Sequence, residues 1–202
     1  MGRPTAASIE IDTPTRVLDA AEDAFALVGL AGAKLANIAT AAGIRRPSLL
    51  YHFSTKEGLY SAVVTRGFQA LGLALGAAMR SDNDFETRLH LVLDAFVEFL
   101  DARPHLARIV CRQLVDGSGP GKEILLQQAA PLLDGVVQFI ETHGASRLRP
   151  GVSVRAATMQ TCASVVLRAA SGELRGALWG DDGDDWAATS SLLFRDSTEA
   201  QS

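Results

Sequence analysis

Residues 41–60, AAGIRRPSLLYHFSTKEGLY, gather the side chains best equipped for chemistry. Arg45, Arg46, Ser48, Tyr51, His52 and Lys56 can all donate hydrogen bonds, and three of them are cations. Such a set suits a polyanion. An arginine fork matches guanine O6 and N7, and Ser48 can approach a base edge or a phosphate from the start of a helix. Tyr51, His52 and Lys56 suit phosphate oxygens, which position a protein without reading sequence. No acidic residue lies between Asp23 and Glu57, while Lys34, Arg45, Arg46 and Lys56 give that window +4. The net charge is −4, so the rest of the chain carries −8. Salt screens the distant charges, and the local basic field is the one a phosphate backbone would meet.

Other chemistries find little support. Cys111 and Cys162 sit in apolar stretches without CxxC or His spacing, and His90, His105 and His143 are dispersed, with no carboxylate at ligand spacing. Neither a zinc site nor a disulfide framework is indicated, and the thiols read as buried and reduced. There is no Ser or Cys nucleophile near a His in a recognisable motif, no metal-ligand cluster and no glycine-rich phosphate loop. An enzyme on a helical scaffold is therefore disfavoured, and no cofactor or metal is implied. Oxidation sensing is the remaining alternative for the cysteines, because Arg108 and Arg112 flank Cys111 at i−3 and i+1 and could lower a thiol pKa.

Of the 202 residues, 48% are hydrophobic and 21% charged, an ordinary globular composition with room for one domain or two small ones. No uninterrupted apolar run approaches the roughly 20 residues a bilayer requires, and the N-terminus lacks a leader-like apolar stretch. A cytoplasmic protein without membrane contact is expected.

The elements that must position the basic residues are helical throughout. Thr13 as cap and Pro14 open a first helix, with Val17, Leu18, Ala21, Phe25 and Val28 at helical spacing up to Gly29. Leu35, Ile38, Ala39 and Ala42 mark a two-turn helix stopped at Gly43, and Pro47 restarts helix at its first turn. Ser54-Thr55-Lys56-Glu57 is a capping box opening a long helix to about Arg80. Further helices are expected at 85–102, 104–115, 121–143 with a kink at Pro131, 153–178 and 185–196. No stretch alternates with period two long enough for a strand. The class is all-α, nine or ten helices, with a domain boundary inside the fourth.

The helix from Pro47 is under two turns and cannot stand alone. Leu49 and Phe53 share an inward face and must hold it by packing, leaving Ser48, Tyr51 and His52 on the free face. Two short helices meeting at Gly43, with small Ala39 at the crossing, form a helix-turn-helix pattern at about 35–54, whose second helix lies in a DNA major groove.

The segment TRVLDAAEDAFALVGLAGAKLANIATAAGIRRPSLLYHFSTKEGLYSAVV, Thr15 to Val64, resembles the DNA-binding domain of the tetracycline-repressor (TetR) family of bacterial transcriptional regulators. The Ala-Gly-Ile turn, the Pro-Ser-Leu helix start, Tyr51-His52-Phe53 and Lys56-Glu57 carry the likeness. The resemblance implies a flexible arm at 1–12, a helix-turn-helix domain at 13–60 and an effector-binding and dimerisation domain at 61–198. Its DNA-binding residues would be Lys34, Arg45, Arg46, Pro47, Ser48, Tyr51, His52 and Lys56. Where the family has Thr or Ser opening the second helix this chain has Ala33-Lys34, so Lys34 would make the phosphate contact and the cap is lost, at about 1 kcal/mol. Leu50 replaces a residue that is often aromatic.

The family likeness further implies a homodimer, paired through helices at about 153–178 and 185–196, on a palindromic double-stranded operator with recognition helices about 34–36 Å apart. It also implies a cavity for a small-molecule inducer, unidentified here, whose binding tilts the fourth helix and releases the DNA. Candidate pocket residues are Phe68, Phe96, Phe99, Arg108, Cys111, Arg112, Phe139, Met159 and Cys162, with Gln113 and Thr161 as further polar groups.

Overall fold

The computed structural model describes residues 12–117 and 119–180. Among them are nine α-helices, one 3-10 turn and no strand: α1 (Thr13–Gly32), α2 (Leu35–Ala41), α3 (Arg46–His52), α4 (Lys56–Met79), α5 (Phe85–Asp101), α6 (Pro104–Asp116), α7 (Pro120–Gly144), α8 (Val154–Ala170) and α9 (Leu174–Trp179). The helix expected at 185–196 and nearly all of the arm at 1–12 lie outside the described residues. The chain divides into two compact units at Val63/Val64, within α4.

The N-terminal unit is built on α1. Val17, Ala21 and Phe25 recur every fourth residue and are fully buried, as the helical period requires. Ile38, Ala39, Leu49, Leu59 and Tyr60 complete the core, and Phe25 meets Tyr60 edge to face at 5.1 Å. The expected stop at Gly29 is a kink: Gly29 has φ 70°, and helical structure resumes to Gly32. Two caps differ from expectation. Asp12, not Thr13, precedes α1 and gives it no side-chain bond. At α4, Thr55 rather than Ser54 is the cap, its Oγ1 accepting from Gly58 N–H at 2.9 Å. A single-residue shift in where the backbone turns helical decides which of two adjacent hydroxyls faces the free N–H groups.

In the C-terminal unit α8 packs on α6 and α7. Leu100, Ala107, Val165 and Ala169 form one buried cluster where α5, α6 and α8 meet. α4 and α6 approach closely at Gly67, where a Cβ would lie 2.8 Å from Leu106 Cδ2, so no larger residue fits without displacing Leu106. α7 continues on both sides of Pro131 as one helix. The expected helix 153–178 is instead two, separated at Gly172, whose φ of 57° ends helical geometry. Asp84 caps α5 by accepting from Thr87 N–H at 2.8 Å, and these bonds hold its carboxyl below the usual carboxylate range.

A carboxylate joins the last elements. Asp101, at the end of α5, accepts from Arg168 of α8 at 3.0 and 3.2 Å and from both terminal nitrogens of Arg175 of α9 at 3.1 and 3.0 Å. At the start of α5, Arg88 donates to Met79 O at the end of α4 and stacks over the Phe139 ring at 4.8 Å. Among the described residues, α4 is long and apolar enough to match a bilayer. Several of its apolar side chains are buried, Leu59, Tyr60 and Val63 in the N-terminal unit and Phe68, Leu71 and Leu75 in the C-terminal one, whereas Leu73 is exposed.

Candidate nucleic-acid interface

The turn between α2 and α3 is fixed by backbone bonds. Gly43 N–H donates to Thr40 O at 3.0 Å and Ile44 N–H to Ala39 O at 2.9 Å, a pattern that closes a helix only when the residue between adopts left-handed geometry. Gly43 supplies it with φ 70°. α3 then begins at Arg46, one residue before the expected Pro47, with Arg45 as its cap residue and Pro47 in the first turn.

Seven residues make α3, and Leu49 is the one that is buried, at 0% exposure. Phe53, expected to share that inward face, stands just past the helix end with φ −133° and is half-buried. Arg45, Arg46, Pro47, Ser48, Tyr51 and His52 are all exposed. Tyr51 is 85% exposed, so it does not cover the core, and its ring meets that of His52 edge to face at 5.3 Å. The structure thus brings these six onto one small helix and its cap, with donors outward and one apolar anchor inward. Lys34 is exposed at the cap position of α2, which has no side-chain cap bond.

Lys56, expected from the sequence to contact a phosphate, makes hydrogen bonds within the protein. Its Nζ donates to Ala31 O at 3.1 Å and Ala33 O at 3.2 Å, and the side chain is half-buried. The ammonium thus meets the negative carbonyl end of α1.

Sequence reasoning missed Arg16. It is exposed, donates to Thr13 Oγ1 at 3.3 Å, and its Nη1 lies 3.8 Å from where a Cβ on Gly43 would stand. A fifth cation therefore borders the turn, brought from far off in sequence by the packing of α1 on α2. The available signal was its place one residue before buried Val17, off the core face of α1.

The pocket candidates are spread over α4 to α8. Phe96 and Phe99 pack beside the Leu100, Ala107, Val165 and Ala169 cluster. Phe139 belongs elsewhere, in an aromatic group with Phe85 at 5.7 Å and His143 at 5.3 Å. Phe68 is buried in α4 and Gln113 in α6. Met159 and Arg112 are exposed, on helices whose buried sides carry Val165 and Ile109. Arg108 donates through Nε to Ala170 O at 3.1 Å, and Thr161 to Ala157 O within its own helix. Burial pushes the Cys111 thiol up and that of Cys162 up to about 11, opposite to the direction a peroxide-reactive thiolate requires.

The model of the family "Bacterial regulatory proteins, tetR family" matches residues 17–63. The chain is 35% identical over 86 residues to the HTH-type transcriptional activator FasR of Mycolicibacterium smegmatis, an alignment spanning 43% of this chain and 39% of FasR. It is 32% identical over 102 residues to the HTH-type transcriptional regulator RutR of Escherichia coli, spanning 50% of this chain and 48% of RutR. The chain thus spans less than half the length of these relatives, which are transcription regulators and not enzymes. The fatty acid degradation regulator FadR of Bacillus halodurans shares the fold, with a TM-score of 0.72 at 16% identity over 92% of this chain and 97% of that one. Residues 17–63 thus match the model of the tetR family of bacterial regulatory proteins and form a helix-turn-helix, within an all-α fold shared with a known regulator.

Proposed function

We propose that the protein is a sequence-specific DNA-binding transcriptional regulator, working on chromosomal DNA in the cytoplasm as a homodimer on a palindromic operator. The observation that carries this reading is the α3 surface: six exposed residues, two of them arginines, held by buried Leu49 inside a window free of acidic residues. Arg45 and Arg46 reach base edges, with each good paired contact worth about 1–3 kcal/mol of discrimination. Arg16, Lys34, Ser48, Tyr51 and His52 contact phosphates or sugar and set the register.

The dimer reading is supported by an apolar stripe on the last described helices. Met159 and Leu167 of α8, and Leu174 and Leu178 of α9, are 42%, 53%, 62% and 66% exposed, and a second copy would cover them. A small molecule entering beside Phe96 and Phe99 is the effector reading, with α4 as the helix whose tilt would alter the spacing of the two recognition helices. Such a shift needs only a few kcal/mol of differential affinity. Repression relieved by the effector is the sign assigned here, although FasR is named an activator.

The test is selection of duplexes from a random library by the purified protein, followed by anisotropy titrations at two salt concentrations. Enrichment of an inverted repeat, bound by two chains, is expected. Binding that prefers no duplex over a shuffled one of the same composition would overturn the reading. Placing the selected repeat over a reporter promoter then decides between repression and activation.

A further inference from the structure

We infer that Lys56 is a positioning residue for DNA recognition, a clasp that closes the helix-turn-helix segment, rather than a phosphate contact. The inference rests on the DNA-binding reading above. Lys56 is the first residue of α4, where a cation opposes the helix dipole, so α4 itself gives no reason for a lysine. The reason lies across the unit. Its Nζ reaches Ala31 O at 3.1 Å and Ala33 O at 3.2 Å, carbonyls in the last turn of α1 and just after it. That helix end has no basic residue of its own, so the ammonium answers carbonyls that the helix leaves unsatisfied.

Ala33 and Lys56 are 23 positions apart, and α2, the Gly43 turn and α3 all lie between them. One ammonium therefore holds both ends of the recognition segment. Ala33 is buried and directly precedes Lys34, the residue from which α2 springs without a side-chain cap. At the other end α3 leads through Phe53 and Ser54 to Thr55, which caps α4. With both ends fixed, the angle at which α3 presents Arg45 and Arg46 is set by the protein before DNA arrives, and less ordering is left to the binding step.

The experiment uses the full chain, a duplex that the parent selects from a random library, and a shuffled duplex of the same composition. Lys56→Met keeps the alkyl stem and removes the donors, and Lys56→Arg keeps charge and donors. For Lys56→Met a loss of about tenfold on the selected duplex is expected, with little change on the shuffled one. The salt slope should stay within about 0.3 of the parent, whereas a lost phosphate contact lowers it by about 0.9. Amides of residues 35–52 should exchange faster in the DNA-free Lys56→Met protein, and Lys56→Arg should restore the selected-to-shuffled ratio. Equal weakening on both duplexes with the lower slope, or unchanged exchange without DNA, would overturn the clasp. A parent that enriches no duplex overturns the DNA-binding reading instead, before any variant is made.

Discussion

Leu49→Ala is the sharpest probe of how the reading surface is held. α3 has seven residues and one buried side chain, so nearly all its attachment to the N-terminal unit passes through Leu49, with half-buried Leu50 and Phe53 beside it. The substitution removes three carbons from a site with 0% exposure, and at about 0.8 kcal/mol each the transfer loss alone is about 2.4 kcal/mol. An unfilled cavity raises this to about 3 kcal/mol. A unit of some 50 residues has roughly 3–8 kcal/mol of stability in total, so the N-terminal unit should open far more often. Three kcal/mol corresponds to roughly 150-fold in an opening equilibrium. Native-state hydrogen exchange should therefore show the amides of Leu49 and Phe53, which are bonded to Arg45 O and Leu49 O, exchanging about 100-fold faster. Trp179 lies in the other unit and Trp186 outside the described residues, so tryptophan fluorescence should report an unchanged unfolding midpoint. DNA affinity should fall with the population of closed α3. An acceleration under about fivefold, or loss of the tryptophan-reported midpoint, would show that α3 is fastened by something other than Leu49.

Other substitutions separate the remaining roles. Arg46→Ala should leave thermal stability unchanged, cost about 1–3 kcal/mol on a selected duplex and relax base preference at one position. Arg16→Ala should weaken all duplexes alike and lower the salt slope by about 0.9, as read by titration over a salt series. Gly43→Ala would bring a Cβ only into ordinary contact with Arg16 Nη1, at 3.8 Å, but must hold φ 70°, so a loss of about 1 kcal/mol without steric rearrangement is expected from urea unfolding. Asp101→Asn leaves Arg168, 5% exposed, without its carboxylate, and should lower C-terminal-unit stability by about 2–4 kcal/mol, seen in the tryptophan transition. Cys162 has a folded pKa raised above its ordinary 9.0 to about 11, so its contribution to stability is present below pH 9 and is lost as pH rises toward 11. Alkylation of the native protein at pH 8 should accordingly be slow, with roughly one part in a thousand of this thiol ionised.

The helical class and the α2–turn–α3 arrangement were legible because they rest on local signals: the period of Val17, Ala21 and Phe25, the glycine at 43, the proline at 47. What escaped depended on distance. Arg16 reaches the turn only through the packing of α1 on α2, and Lys56 looks like a surface cation until the end of α1 is placed beside it. Asp101, Arg168 and Arg175 are unremarkable singly, and their junction exists only once α5, α8 and α9 meet. Small geometric margins decided the rest. Thr55 outcompetes Ser54 as cap by one step of backbone, and Gly172 splits what apolar periodicity reads as one helix. The burial of single aromatic and sulfur residues was the least legible feature, since they pattern alike whether they fill a core, as Phe139 does, or face solvent, as Met159 does.

An anchor of one residue also bears on how such a protein changes over generations. Arg45, Arg46, Ser48, Tyr51 and His52 can each be replaced with little effect on the core, because Leu49 alone carries most of the packing of α3. Target preference and foldability are thereby under separate selection. A duplicated copy could drift toward a new DNA sequence through several substitutions on this helix without first acquiring compensating mutations in the interior, so divergence of targets should outpace divergence of the scaffold.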